Sequence, residues 1–254
     1  MSLKDSRVLC WFSCGAASAA ATKLAIEKYG DRVEVLYCDT LKYEHPDNVR
    51  FLSDCEQWFG KKVTLLKSDK YSDIFDVFNR TGYLVGVAGA RCTGELKRQV
   101  RLDYSRTTDI HVFGYTVEEE KRLLRFVDNN PTLTCDWLLY TGDVTKSQCL
   151  QMLVDAEIEI PAMYKLGYKN NNCIGCVKGQ QGYWNKIRVD FPEAFDRMAR
   201  QERSMDVAIN KSYAGDGKRK RVFLDELGPA AGRYDDEPDI SCGPQCELDL
   251  GEES

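Results

Sequence analysis

Apolar and polar positions alternate along the chain in blocks rather than residue by residue. VLCWFS at 8–13 is a continuous apolar run, and the following ASAAATKLAIEKYG reads as a helix that stops at Gly30. VEVLYCDT at 33–40 is a second buried run with a polar end, and VTLL at 63–66 is a third. Helical patterning fills about 47–59, 70–80 and 93–105, then DIHVFGY at 109–115 supplies a fourth strand and VEEEKRLLRFV another helix. Uniformly apolar strands separated by helix-length segments predict an α/β fold with a mostly parallel, doubly wound sheet covered on both faces. In such folds ligands bind at the carboxyl ends of the strands.

Beyond Leu166 the pattern changes. Thr145-Lys-Ser-Gln148 is a capping box opening a helix through about Ala156, but KNNNCIGCVKGQQGYWNKI reads as polar loop. An amphipathic helix follows at about 192–208, with Tyr183 and Trp184 placed before it as core packing or as a surface for stacking on a base. KSYAGDGKRKR at 211–221 reads as an exposed turn. KRKR within it is a solvated basic surface or a contact to nucleic acid. The acidic end from Arg233 would read as a free tail, except that it carries Cys242 and Cys246.

Composition narrows the function classes. Of the 254 residues, 43% are hydrophobic and 30% charged, which permits a real core, and the net charge of −5 argues against a general DNA-coating protein. No apolar run approaches a signal peptide or a membrane span, so the expectation is a cytoplasmic protein with no membrane partner. The 11 cysteines stand out. Cys10, Cys14, Cys38, Cys55, Cys135 and Cys149 sit in or beside apolar segments and read as small core residues. Cys173-x-x-Cys176 is a chelating pair suited to zinc or to one edge of an iron–sulfur cluster, and Gly175 favours the tight turn. His45 and His111 fall in the sheet region, which leaves Cys92, Cys242 and Cys246 as the further thiolates.

A strand, a loop of small residues and a helix make a phosphate-binding geometry, with loop amides and a helix N-terminus as donors. SCGAAS at 13–18 resembles the SGGxDS pyrophosphate loop of the PP-loop ATP pyrophosphatases: Ser13, Gly15 and Ser18 match, Cys14 replaces a Gly and Ala17 replaces the Asp. Loss of that Asp is similar to the phosphoadenylyl-sulfate reductase-like branch. CDT with EHP (38–40, 44–46) resembles that branch's DTGxExP, with one extra residue. GYTVEEEKR (114–122) resembles G-I-R-x-D-E-S-x-x-R, and RCTGELKR (91–98) resembles the Cys-Thr-x-x-Leu-Lys segment of the reductases and of DNA phosphorothioation ATPases. NNNCIGCVKGQQGYWNKIRVDFPE is similar to phage and bacterial proteins of the reductase-like kind.

The resemblance implies an adenine nucleotide alpha-hydrolase-like domain over 1–165 and a cysteine-rich lobe with an acidic tail over 166–254. Ser13, Cys14, Gly15, Ala16, Ala17 and Ser18 would hold phosphate of ATP or an adenylyl sulfate, with Mg²⁺ as a further candidate. Asp39, Thr40, Gly114, Glu119 and Arg122 would complete the nucleotide site. Arg122 and Lys97 or Arg98 would neutralise phosphate or sulfate. Cys92, Cys173 and Cys176, with Cys242 or Cys246, would hold a [4Fe–4S] cluster, zinc being the alternative. Cys242 also stands where sulfonucleotide reductases carry a nucleophile, but Asp235, Asp236, Glu237 and Asp239 are expected to raise its pKa. Sulfonucleotide reduction with a thiol donor and sulfur transfer from a sulfide donor, including transfer to nucleic acid, stay open. So does a non-enzymatic nucleotide-binding protein stapled by zinc.

Overall fold

The computed structural model describes residues 5–86, 89–213, 219–240 and 242. The chain begins β1 (Val8–Trp11), α1 (Ala16–Tyr29), β2 (Val33–Cys38), α2 (Asn48–Phe59), β3 (Val63–Leu66) and α3 (Ile74–Thr81). A short antiparallel pair, β4 (Val85–Gly86) and β5 (Gly89–Ala90), leads into α4, a helix over residues 91–104. β6 (Ile110–Val112), α5 (Glu120–Asn129), β7 (Cys135–Asp136) and α6 (Lys146–Asp155) complete the first part. The central sheet runs β3-β2-β1-β6-β7 and every pairing in it is parallel.

Burial explains why these strands are uniformly apolar. Along β1, Val8 and Cys10, continued by Phe12, face a core shared with α1, α2 and α6; Leu9 and Trp11 face the opposite core with Leu36, Phe113 and Phe126. A strand covered on both sides has no polar face to alternate with. β7 escapes the periodicity because it pairs over only two residues, both half-buried. Outward growth from β1 through β2 to β3, followed by a return to β6, reverses the strand order between β1 and β6. The crevice at that reversal is where the loop after β1 meets the loop after β6.

The cysteine-rich segment is more regular than its polar composition predicts. Residues 181–190 form a helix, α7 (Gln181–Asp190), followed directly by α8 (Pro192–Met205). Tyr183 and Trp184 therefore lie inside a helix, not before one. They pack with Ile187 against Phe195 and Met198 of α8 and against Val77, Phe78 and Leu96 of the first part. The predicted turn at 211–221 is instead a hairpin of β8 (Asn210–Tyr213) and β9 (Arg219–Val222), its tip lying outside the described residues. No helix among the described residues is long and apolar enough to cross a membrane.

Glu202 of α8 ties this hairpin down. Fully buried, its carboxylate accepts the backbone hydrogens of Ile209, just before β8, and Leu224, two residues past β9, each at 2.6 Å. Burial pushes its pKa up from 4.5 to about 7, Asp225 adding to the rise while the two amides and Arg203 oppose it. The folded state therefore keeps a proton that the unfolded chain releases, and stability should fall as pH rises from about 4.5 to about 7. The full loss is about 3 kcal/mol. Denaturant titrations on either side of that window should show the slope, and Glu202→Gln should flatten it. An unchanged slope in that variant would mean that other groups govern the pH dependence.

Candidate functional site

The loop after β1 is closed by its own hydroxyls. Ser18 Oγ accepts from the Ser13 amide at 3.1 Å, lies 3.2 Å from Ser13 Oγ, and donates to the Gly15 carbonyl at 2.9 Å. Cys14 has φ of 53°, the left-handed region that glycine tolerates best, so its side chain is carried at a cost of about 1 kcal/mol. Its thiol is buried, pointing to the Asn48 carbonyl. Among the described residues no acceptor meets the amides of Cys14, Gly15, Ala17 or Ser18. The Ala16 amide donates to Tyr164 Oη at 3.4 Å, so the first turn of α1 is covered by a phenol that the sequence pattern did not flag.

Gly114 locks this loop to the next. A Cβ there would lie 2.6 Å from the Ser18 amide nitrogen and 2.7 Å from the Ala17 carbonyl carbon, so the two loops touch backbone to backbone. On the other side, Asp39 accepts from the Leu41 amide at 3.2 Å and pairs with Lys67 at 3.4 Å, which makes it a cap at the end of β2. Thr40 is buried and donates to Glu44 at 2.6 Å. Glu44, absent from the predicted site, is a buried carboxylate that also receives the Tyr37 hydroxyl and the Asn48 amide.

Glu119 serves its own helix start: it accepts from the Thr116 amide at 3.2 Å and pairs with Arg122. The Arg122 guanidinium lies 5.4 Å from the Tyr115 ring centre. Arg122 lines a cleft of about 960 Å³ together with Arg125, Lys178, Lys211, Arg233 and Asp239. Residues 13–18 and Asp39 are not part of that cleft's lining, so Arg122 faces a larger space beside the loop instead of completing a closed nucleotide pocket.

The thiols converge. Cys176 and Cys242 share a hydrogen bond, Cys242 Sγ lies 3.5 Å from Thr93 Oγ1, and Cys92 and Cys173 act on Cys242 through charge. The expectation that acidic neighbours raise Cys242 fails. The hydrogen bond from Cys176 dominates and, against burial, holds Cys242 well below the ordinary thiol range, with Lys97, Lys178 and Thr93 helping. Burial pushes Cys92 up to about 12. Lys97 is itself buried, which alone would depress it, yet Cys242, Cys173, Glu44 and Cys38 hold it well above the usual lysine value. It reaches this position through a π-helical turn, Gly94–Arg98, inside α4. Arg98, the alternative to Lys97, has a buried Nε with no hydrogen-bond partner among the described residues. Cys246 lies outside the described residues. Among those described, no three His, Cys, Asp or Glu side chains stand close enough to hold a single metal ion.

The three asparagines before Cys173 are rivets, each with a distant partner. Asn170 accepts from Lys146 Nζ at 3.3 Å; Asn171 donates to the Cys14 carbonyl and to Asn48 Oδ1, both at 2.7 Å; Asn172 donates to the Ile240 carbonyl at 2.8 Å. The CxxC turn is held in place by Tyr183, whose hydroxyl accepts the amides of Gly175 and Cys176. Gly175 has φ of 77°, and the turn closes because glycine permits it. With this geometry in place, comparison with known proteins gives no match to any family model, curated protein or solved structure.

Proposed function

We propose that the chain is an adenine-nucleotide enzyme of the PP-loop kind, with a doubly wound alpha-hydrolase-like domain, that performs sulfur chemistry beside a [4Fe–4S] cluster. Cys92, Cys173, Cys176 and Cys242 would hold the cluster. The observation that carries this reading is the adjacency of two centres: Asn171, two residues before Cys173, donates to the carbonyl of Cys14 in the strand-one loop. Left-handed backbone at Cys14, where the resembling loop has glycine, is consistent with that loop conformation. Tetrahedral zinc demands sulfurs roughly 3.8 Å apart, from Zn–S bonds of about 2.3 Å. A set of thiols at that spacing would hold zinc, and a wider one a polynuclear cluster.

A cluster held by these thiolates would supply electrons or a bound sulfide. The loop amides and the Ser13 hydroxyl bind phosphate, Arg122 offsets charge on the leaving nucleotide, and the Lys97 ammonium steadies anionic sulfur. In sulfur transfer, ATP adenylates an acceptor oxygen with release of pyrophosphate, and sulfide then displaces AMP. In reduction, the Cys242 thiolate attacks the sulfonyl sulfur of an adenylyl sulfate: an S–S bond forms, the S–O bond to phosphate breaks, and the nucleotide leaves with the electron pair. A second thiol then releases sulfite. The Thr93 hydroxyl 3.5 Å from Cys242 and the buried Lys97 acting on it favour a thiolate there, and with it reduction; its place in the cysteine set favours transfer.

Anaerobic purification should give a brown protein with iron and acid-labile sulfide. Calorimetry should find a tight ligand among ATP, adenylyl sulfate and phosphoadenylyl sulfate. Ser13→Ala should weaken that ligand by about fivefold and Arg122→Ala by about tenfold or more, through loss of neutral and charged hydrogen bonds respectively. Unchanged affinity in both variants would move the phosphate away from this loop. A colourless, zinc-loaded protein that binds a nucleotide without turning it over would leave the non-enzymatic reading standing, and one that binds none of the three would remove both.

A further inference from the structure

Cys242 arrives at the thiol set on a strap that the acidic end of the chain makes over α7. Gly232 and Gly182 let the strap lie against the helix backbone: a Cβ on Gly182 would fall 2.5 Å from the Arg233 carbonyl carbon, and one on Gly232 2.4 Å from the Gly182 nitrogen. Tyr234 Oη accepts the Lys169 amide at 2.8 Å, and Lys169 Nζ donates to the carbonyl of Asp235 at 3.0 Å. At the centre is Glu237, a buried carboxylate. It accepts the amides of Gly182 at 2.5 Å and Tyr183 at 3.1 Å on one oxygen and that of Gln180 at 3.2 Å on the other.

These amides are the unsatisfied donors at the start of α7, and a carboxylate is the group that both their hydrogen bonds and the helix dipole favour. Tyr183 also holds the CxxC turn through its hydroxyl. Residues 180–183 thus anchor both thiol sources, Cys173 and Cys176 from one side and Cys242 from the other. Three residues past Glu237, Asn172 grips the Ile240 carbonyl, and two further on stands Cys242.

From this we infer that Glu237 is the positioning residue of the thiol set: it latches the strap onto the start of α7 and so sets Cys242 beside Cys176. The inference rests on the reading of Cys242 as a member of that set. A chain without the latch keeps Cys92, Cys173 and Cys176 together and lets Cys242 swing away.

The test is thiol labelling of the full-length, iron-free protein with iodoacetamide, followed by peptide mass spectrometry, with Cys55 of the first core as internal reference. Glu237→Ala should raise the labelling rate of Cys242 relative to Cys55 by about tenfold or more, as expected when charged hydrogen bonds no longer oppose local opening. Glu237→Gln, which keeps an acceptor for Gly182 and Tyr183, should fall between that variant and the parent. A Cys242 to Cys55 ratio unchanged in Glu237→Ala would overturn the assignment, and so would labelling of both cysteines rising in step. Neither nucleotide nor iron enters the measurement, so its failure is distinct from failure of the proposed reaction.

Discussion

Gly114→Ala should cost the protein about 3 kcal/mol and lower its melting temperature by roughly 6–12 °C. The added methyl group would meet the Ser18 nitrogen at 2.6 Å, the Ala17 carbonyl carbon at 2.7 Å and the Ser18 Cα at 2.8 Å. All three are backbone atoms of the first turn of α1, held to the loop before it by the Ser18 hydroxyl, so no side chain can swing aside to make room. The loop must move as a unit, and it can do so only by breaking the Ser13–Ser18 hydrogen bonds or by lifting the start of α1. Nucleotide affinity should fall with stability, because the same amides are displaced. Gly94→Ala is the control: among the described residues nothing lies within 4 Å of its added Cβ, and its backbone is helical, so alanine should be neutral or mildly stabilising there. Thermal melts of the two variants check this directly. Equal, small shifts would mean that the two loops are not in contact.

Cys173→Ala should abolish iron binding, whereas Cys55→Ala should leave it intact. Both thiols are buried, so burial alone does not separate them. Cys55 packs in the core beneath α1 and α2, while Cys173 interacts with Lys97, Cys242 and Cys92. Loss of one ligand from a four-cysteine site removes a metal–thiolate bond and leaves a buried cation and its remaining thiols poorly matched. Cys92→Ala should behave as Cys173→Ala does. Iron and sulfide analysis after anaerobic reconstitution decides it. Full iron content in Cys173→Ala would dismantle the proposed ligand set.

What the sequence revealed and what it hid divide along a physical line. β1, β2 and β6 were legible because strands buried on both faces write themselves as apolar runs; β3, an edge strand with Thr64 and Leu65 exposed, was legible from its short VTLL run alone. α7 was hidden by Gly182 and by flanking glutamines and asparagines; its signal was Tyr183, Trp184 and Ile187 at helical spacing, diluted by polar neighbours. The CxxC spacing announced a site by itself, but the nearness of Cys92 rested on resemblance, since no local pattern carries a contact across some eighty residues. Asn170, Asn171 and Asn172 read as turn formers, although their side chains reach three separate segments. Glu237 looked like one more charge in an acidic tail, because a cap supplied from a distant stretch leaves no periodic trace. Tyr164 over the start of α1 was missed for the same reason, whereas Glu44 lay in the EHP segment and bonds its near neighbours Tyr37, Thr40 and Asn48.

The π turn in α4 has a consequence for how the chain tolerates change. In an ordinary α-helix, residues five apart point roughly 140° away from each other. A turn closed by i→i+5 hydrogen bonds brings such residues nearly into line, which lets Lys97 share a side with Cys92. Deleting one residue between Gly94 and Arg98 would restore ideal helical winding with Lys97 four residues after Cys92, about 40° round the helix and so still on its side. The wide turn therefore absorbs one residue of chain length without moving the ammonium off the side of the thiols.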